Sequence, residues 1–142
     1  MDRDDAEPAD TTLYDGLAGF RSALRRFLAF SESVTRAAGV TSWQYQALLV
    51  IRCHPGPGIT IGNLATEMLL QHHGAVQLVD RLVRAGLAER QASPTDRRSV
   101  LVTLTERGTS LLEGLAAEHL SELLRQEPLL AESLRRLREI DR

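Results

Sequence analysis

The sequence contains no lysine, a single cysteine and few aromatic residues. All 17 basic side chains are arginine, and aromatic residues make up 4% of the 142 residues. With Cys53 alone, no disulfide can form within the chain, which is typical of a protein of the reducing cytoplasm. No apolar run approaches the ~20 residues of a membrane-spanning helix. Because the N-terminus is acidic and lacks an apolar segment, we expect neither a signal peptide nor a transit peptide, but a cytoplasmic protein without a membrane partner.

The motifs of enzymes and of metal proteins are also missing. There is no Gly-rich phosphate loop, no Ser-His-Asp order in a supporting context and no set of paired carboxylates. His72 and His73 are adjacent, so on a helix their side chains point ~100° apart and cannot readily chelate one ion. The other histidines lack the spacing of a structural zinc site. We therefore predict no enzymatic activity, no cofactor and no metal.

Negative charge is concentrated at one end of the chain. The net charge is −2, which argues against a simple polycation that coats nucleic acid. Six of the 19 acids lie in the first 15 residues beside one arginine, so the rest of the chain carries 16 arginines against 13 acids. Arginine forms forked contacts with phosphates and base edges, which is compatible with DNA binding, although codon bias explains an arginine-only composition equally well. We interpret residues 1–12 as a disordered acidic tail.

A long amphipathic helix is predicted from Leu13 to about Ala38, and Gly39 ends it. Its apolar positions follow in steps of three and four, as in a heptad pattern. They are Leu13, Leu17, Phe20, Leu24, Phe27, Ser31 and Val34. Such a seam packs either on its own domain or on a second copy of the chain.

Three shorter helices are predicted between residues 41 and 86. The first begins with a capping box formed by Thr41 and Gln44 and ends at the sequence PGPG. Cys53 lies on this apolar helix, so a buried, unreactive thiol is favoured over a redox sensor. Thr60 caps the second helix, and Gly86 ends the third. The predicted inward residues are Trp43, Ala47, Leu48 and Ile51 in the first helix and Ala75, Leu78, Val79 and Leu82 in the third.

The pattern then changes to a period of two. Residues 87–91 and 100–104 read as short strands joined by a Ser-Pro-Thr-Asp turn, which predicts a β-hairpin. Thr105 begins a further helix, and Pro128 is expected to interrupt it before a last apolar stretch. Two short helices joined by a tight turn and followed by a hairpin are typical of a winged helix-turn-helix.

Three segments match the motifs of a known family: "ITIGNLATEM", "VQLVDRLVRAGLAER" and "DRRSVLVTLTERG". The motif residues are Val79, Asp80, Arg81, Leu82, Gly86 and Leu87 in the second segment and Asp96, Arg98, Val102, Leu104, Thr105 and Gly108 in the third. On these residues the chain resembles the MarR (multiple antibiotic resistance regulator) family of bacterial transcriptional regulators over about residues 13–140. It departs from the family pattern at Gly74 and Val76, where hydroxyl residues are common.

The resemblance implies a mainly α fold with a small β-hairpin wing. Residues 41–108 are expected to form a winged helix-turn-helix DNA-binding domain, and residues 13–40 and 109–142 a helical dimerisation region. The implied function is that of a sequence-specific transcriptional regulator, most often a repressor. Because one recognition helix covers only a few base pairs, we expect a homodimer on a pseudo-palindromic operator in double-stranded DNA. The alternative is a winged helix used only for protein–protein contacts.

The predicted recognition helix has a polar outer face from which bases can be read. Its candidate DNA-binding residues are Gln71, His72, His73, Gln77 and Arg81. Glutamine can pair bidentately with adenine and arginine with guanine, and histidine can donate to a base or a phosphate. The alternative is an ordinary solvated helix face.

Two adjacent arginines lie at the tip of the predicted wing. Arg97 and Arg98 are placed to reach a neighbouring minor groove, where negative potential favours inserted arginine. The resemblance makes Arg98 the wing arginine of the family and Asp96 the residue that orients the loop. The alternative is a solvated turn with a local Asp–Arg pair of little energetic value.

The resemblance also implies a small-molecule effector, often an aromatic acid, bound between the dimerisation helices and the DNA-binding domain. The candidate pocket residues are Phe20, Trp43, Leu48 and Leu115. The competing interpretation, which we favour, is that these four residues belong to the hydrophobic core.

Overall fold

A computed structural model of the chain describes residues 7–141, and within them contains five helices and one two-stranded antiparallel hairpin. The elements are α1 (Glu7–Ala37), α2 (Ser42–Cys53), α3 (Ile61–Met68), α4 (His72–Arg84), β1 (Ala88–Ala92), β2 (Val100–Leu104) and α5 (Glu106–Ile140). In the hairpin, Ala88 pairs with Leu104 and Ala92 with Val100. The predicted fold class, mainly α with a small β-hairpin wing, is confirmed.

The chain divides into two compact units. One is formed by residues 34–117, and the other by the described parts of residues 1–33 and 118–142. We call them the winged-helix unit and the helical unit. The sequence predicts boundaries at 40/41 and 108/109, whereas this compact unit also includes the end of α1 and the first turns of α5. The reason is packing, because Leu112 and Leu115 of α5 are buried in its core.

The core of the winged-helix unit is built from α2, α3, α4, the hairpin and the first turns of α5. Its largest fully buried apolar side chains are Leu48, Ile59, Leu64, Val79, Leu82 and Val102. Ile59, in the segment before α3, pairs with Val102 of β2 through hydrogen bonds of 3.1 and 2.8 Å in the two directions. This pairing joins the helix-turn-helix to the hairpin through two backbone hydrogen bonds and two buried side chains.

The predicted helix caps are present. Thr41 Oγ1 accepts from the Gln44 backbone N–H at 3.1 Å, and Gln44 Oε1 accepts from the Thr41 N–H at 2.8 Å, which completes the capping box. Thr60 Oγ1 accepts from the Asn63 N–H at 3.1 Å. These bonds satisfy N–H groups that the first turn of a helix leaves without a partner.

The joint between α4, β1 and α5 depends on one threonine. The Thr105 hydroxyl donates to the Gly86 carbonyl at 2.6 Å and accepts from the Gly108 N–H at 3.0 Å. The Thr105 N–H donates to the Leu87 carbonyl at 3.1 Å. Gly86 has φ +73°, a left-handed conformation that glycine adopts without strain. Thr105 therefore caps α5, as predicted, and also binds the turn that ends α4.

Two predictions about helix continuity are wrong. The helix α1 begins at Glu7, six residues before the predicted start at Leu13. A proline in the first turn, here Pro8, loses no helical hydrogen bond. Residues 1–6 of the predicted tail lie outside the described residues. Pro128 lies inside α5 without interrupting it, because Leu, Glu, Ala and Arg on both sides favour the helix strongly.

Two predictions about α2 are also wrong. Trp43 is 51% exposed, whereas Tyr45 is buried with Leu48 and Ile51. Trp43 lies in the first turn, on a different side from the face that these three residues share at intervals of three. Cys53, the last residue of α2, is exposed rather than buried. A period-based assignment places apolar residues correctly in the middle of this helix and fails at its two ends.

In the helical unit, small residues of α1 pack closely on α5. A Cβ built on Gly16 would lie 2.9 Å from Leu137 Cγ, and one built on Gly19 would lie 2.6 Å from Ser133 Oγ. Further along, buried His119 bonds to Ser31 through Nε2 at 2.9 Å and meets the rings of Phe27 and Phe30 edge-on. The α1 residues in these contacts are therefore glycine, serine and phenylalanine.

The large aliphatic side chains of the helical unit are mostly exposed. Those of α1 are Leu17, Leu24 and Leu28, and those of α5 are Leu120, Leu123, Leu124, Leu129, Leu134 and Ile140. No helix among the described residues is both long and apolar enough to cross a membrane.

The turn between α3 and α4 contains a strained, exposed leucine. Leu69 has φ +55° and is 93% exposed. The left-handed conformation crowds its Cβ, and the side chain buries almost nothing in return. Leu69→Gly is therefore expected to raise the free energy of unfolding by about 0.5–1 kcal/mol in urea denaturation.

Leu69→Ala is the matched control, because alanine removes the exposed side chain but keeps the crowded Cβ. Its stability should stay close to that of the wild-type protein. A Leu69→Gly variant less stable than the wild-type protein would show that the leucine side chain stabilises this turn.

Candidate DNA-binding surface

The helix α4 has one buried face and one exposed face. The buried residues are Ala75, Leu78, Val79 and Leu82, as predicted. The five candidate DNA-binding residues, Gln71, His72, His73, Gln77 and Arg81, are all exposed. Gln71 is the N-cap residue rather than part of the helix. Because the apolar residues occupy the inner face, the glutamine, histidine and arginine side chains of this segment face the solvent.

The N-terminus of α4 is open. The Gln71 side chain makes no capping hydrogen bond, so it leaves the first N–H groups of the helix to other acceptors. A Cβ built on Gly74 would meet no atom within 4 Å. Uncapped N–H groups and the helix dipole together favour an anion such as a phosphate.

An ion pair joins α4 to the hairpin. Arg90 of β1 bonds to Asp80 of α4 through Nη2 and Oδ1. The side chains of Arg90 and Asp80 are 34% and 40% exposed, so the pair contributes at most about 1 kcal/mol to stability. Its geometric role is to hold the root of the wing against the recognition helix. Asp80 belongs to a sequence motif, but no local pattern in the sequence identifies Arg90 as its partner.

The turn at the tip of the hairpin is built around Asp96. Its Oδ1 accepts from the Arg98 N–H at 3.0 Å, and its Oδ2 accepts from the Ser99 hydroxyl at 3.2 Å. On the other side, Ser93 Oγ accepts from the Asp96 N–H at 3.2 Å. Asp96 therefore closes the turn through main-chain and side-chain bonds, and it bonds to the backbone of Arg98 rather than to its guanidinium.

The two wing arginines remain exposed. Neither the Arg97 nor the Arg98 guanidinium forms an ion pair or a hydrogen bond with another residue in the described range 7–141. The Asp–Arg side-chain pair considered as an alternative is therefore not formed. Both charges are available to a phosphate or a groove.

The four candidate effector-pocket residues have different environments. Leu48 and Leu115 are 0% and 3% exposed and belong to the core of the winged-helix unit. Trp43 is half exposed, and Phe20 belongs to the helical unit. Leu48 and Leu115 therefore have no free surface for a ligand in this structure, which agrees with the core interpretation for these two.

The described residues contain no group of three or more His, Cys, Asp and Glu side chains that could hold a metal ion. Cys53 and His54 line an open cavity of about 300 Å³ with Glu67. These three side chains make no hydrogen bond or ion pair with one another.

A helix-turn-helix, an exposed recognition helix and an arginine-tipped hairpin together define a winged helix-turn-helix protein. The model of the MarR family matches residues 38–99. The helix-turn-helix transcriptional repressor NicR of Pseudomonas putida is 31% identical over 122 residues, which cover 82% of this chain and 76% of NicR. The chain belongs to the MarR family.

Two further relatives extend the comparison. The multiple antibiotic resistance protein MarR of Escherichia coli is 35% identical over 74 residues, or 52% of this chain and 50% of that protein. The crystal structure of CouR from Rhodococcus jostii bound to p-coumaroyl-CoA has a TM-score of 0.66 and 27% identity, over 75% of this chain and 73% of CouR. The chain spans only 54–59% of the length of three other curated relatives.

Proposed function

We propose that the protein is a sequence-specific DNA-binding transcriptional regulator, and that it acts as a repressor on a pseudo-palindromic operator. The observation that carries this proposal is the exposure of two sets of DNA-compatible side chains in one compact unit. These are the polar face of α4 and the two wing arginines. Similarity to the repressor NicR supports repression as the outcome. A protein that binds DNA in a bacterium works in the cytoplasm.

The two sets have different tasks in this proposal. The N-terminal half of α4 enters the major groove, where Gln71, Gln77 and Arg81 read base edges. The open N–H groups before Gly74 contact a phosphate. Arg98, with Arg97 beside it, reaches the adjacent minor groove from a turn that Asp96 keeps in shape.

Specific binding requires two copies of this unit. One recognition helix reads a few base pairs, whereas a two-fold dimer reads two half-sites about 34 Å apart. The exposed leucines of α1 and α5 support such a dimer, because a two-fold interface buries the same apolar residues of both copies. We therefore propose a homodimer formed through the helical unit.

A small-molecule effector is a further part of the proposal. CouR, similar to this chain at 27% identity, was crystallised with p-coumaroyl-CoA. An effector changes operator affinity only if it binds the DNA-competent and the incompetent conformations with different affinity.

The direct test is a fluorescence-anisotropy titration with the intergenic DNA that adjoins the gene of this protein. We expect specific binding that competes with an excess of unrelated DNA and weakens steeply with added salt. No binding to any genomic fragment at low salt would instead favour a winged helix used for protein–protein contacts.

Arg98→Ala is expected to weaken operator binding by roughly 1–3 kcal/mol. The slope of log affinity against log salt should fall by about one, because one fewer counterion is released. Alanine keeps the backbone N–H that bonds to Asp96, so the turn should persist. Arg52→Ala, which removes another exposed arginine of the same unit, is the control and should bind normally. An Arg98→Ala protein with unchanged affinity at every salt concentration would exclude the groove contact.

A further inference from the structure

Three side chains follow one another along one flank of the recognition helix α4, at intervals of four and three residues. They are Val76, Asp80 and Val83. Val83 packs against the core of the winged-helix unit, and Asp80 binds Arg90 of the hairpin. Val76 is only partly buried, and it is not among the described residues that form this core or pack against it. Core packing therefore does not account for the aliphatic side chain of Val76.

The first two turns of α4 are otherwise polar on their surface. The exposed side chains of residues 71–78 are two glutamines and two histidines, and the aliphatic Ala75 and Leu78 are buried. Val76 is thus the one aliphatic side chain of residues 71–78 that is not buried. Helix propensity does not favour it either, because a β-branched residue is a weaker helix former than alanine or leucine. Val76 presents its methyl groups in the segment proposed to enter the major groove.

The flank that carries Val76 faces the wing. Arg90 of β1 reaches Asp80, which lies one helical turn after Val76. In the hairpin, Ala92 pairs with Val100, and both lie on the same face as Arg90 because side chains alternate along a strand. Val100 is 47% exposed. Val76 therefore lies between the polar outer face of α4 and the wing, inside the surface proposed to bind DNA.

The major groove offers one apolar group to such a side chain, the C5-methyl group of thymine. Glutamine, by contrast, pairs with the N6 and N7 atoms of adenine. Both features belong to A·T pairs. Gln77 follows Val76 directly, and Gln71 lies at the start of the same helix. These three side chains together are complementary to a half-site that contains A·T pairs.

We propose that Val76 is a specificity-determining residue that contacts the C5-methyl group of a thymine in each operator half-site. The contact removes the methyl groups of Val76 and of the thymine from water, so it favours thymine over cytosine and over uracil without a hydrogen bond. This inference rests on the proposed function, because it requires a specific operator. It adds to that function a base preference that no hydrogen-bonding residue supplies.

Replacing thymine by deoxyuridine measures the contact, because uracil pairs with adenine as thymine does but lacks the methyl group. The operator is first located in the intergenic DNA by footprinting, and each thymine of a half-site is then replaced in turn. Fluorescence anisotropy gives the affinity for each DNA. We expect a position at which uracil weakens binding about fourfold, the factor that corresponds to one buried methyl group. Uracil outside the footprint is the control and should not change the affinity.

Three variants assign this methyl contact to a residue. Val76→Ser removes both side-chain methyl groups with little change in helix propensity, and it should bind the thymine and uracil operators equally. Val76→Ile keeps a β-branched apolar side chain and should keep the fourfold difference. Val100→Ser makes the same chemical change on the wing, which is proposed to enter the minor groove, where thymine displays no methyl group. It should also keep the difference.

The ratio of the two affinities is insensitive to loss of active protein, because both DNAs are titrated with one preparation. Val76→Ala, with a stronger helix former, gives the same comparison if the serine variant does not fold. A half-site in which no thymine is sensitive to uracil would overturn the inference, and so would a Val76→Ser protein that keeps the fourfold difference. In both cases specific operator binding remains, so the proposed function stands. A protein that prefers no operator over unrelated DNA contradicts the proposed function itself, and the methyl contact with it.

Discussion

Gly108→Ala is expected to lower the free energy of unfolding by about 3 kcal/mol or more. A Cβ at this position would lie 2.0 Å from the Leu87 carbonyl oxygen and 2.9 Å from its carbon. Both are backbone atoms, so no side-chain rotation can relieve the contact. The backbone must instead move apart at the place where α5 meets the start of β1. That movement also breaks the bond from the Thr105 N–H to the same carbonyl.

Gly114→Ala, two turns further along α5, is the matched control. A Cβ at Gly114 meets no atom within 4 Å, so alanine should raise helix stability by about 0.5–1 kcal/mol. The two variants therefore make the same chemical change in one helix with opposite expected signs. Urea unfolding at equal protein concentration measures both. A Gly108→Ala protein as stable as the wild-type protein would mean that α5 and the hairpin do not approach as closely as described.

The sequence predicted the elements whose signals are local. Thr41 with Gln44, Thr60 and Thr105 mark helix starts because a capping side chain bonds within three residues of itself. The inner face of α4 follows from helical periodicity, since its four apolar positions have no competing assignment. The predicted DNA-binding residues lie outside this inner face, so their exposure follows from the same periodicity.

What the sequence did not predict depends on distant parts of the chain. Arg90 pairs with Asp80 across ten positions, and no local pattern identifies that partner. Pro128 ordinarily breaks a helix, but the propensity of its neighbours outweighs one missing hydrogen bond. Trp43 and Cys53 lie at the ends of α2, where tertiary packing rather than periodicity decides burial.

For α1, the sequence predicts the helix correctly but not the residues by which it packs on α5. The heptad pattern of large residues left open whether they pack within the chain or on a second copy. In the structure, the residues of α1 that pack on α5 include Gly16 and Gly19, which a search for apolar residues ignores. Leu17, Leu24 and Leu28 remain exposed. The helix therefore has two faces: one with small residues, which packs on α5, and one with leucines, which is exposed in the single chain.

The exposed leucines of α1 and α5 are the basis of the second prediction, a loss of dimer and of operator affinity. The double variant Leu28→Glu/Leu124→Glu is expected to be monomeric and to bind the operator about 10²–10⁴-fold more weakly, because linked half-sites no longer bind together. Leu28 and Leu124 are 51% and 63% exposed in the protomer, so two glutamates should not unfold it. Within a dimer interface, each glutamate would instead be buried without a partner, which is strongly unfavourable.

Sedimentation equilibrium at micromolar concentration measures the oligomeric state, and anisotropy measures operator affinity. The control is Leu28→Met/Leu124→Met, which keeps an apolar surface of similar volume and should remain a dimer with normal affinity. Circular dichroism must show equal helix content in both variants, so that a loss of dimer is not a loss of fold. A glutamate variant that is still a stable dimer would place the interface away from this surface. A monomeric glutamate variant with full operator affinity would contradict the proposed need for two linked copies. One winged-helix unit would then suffice for operator binding.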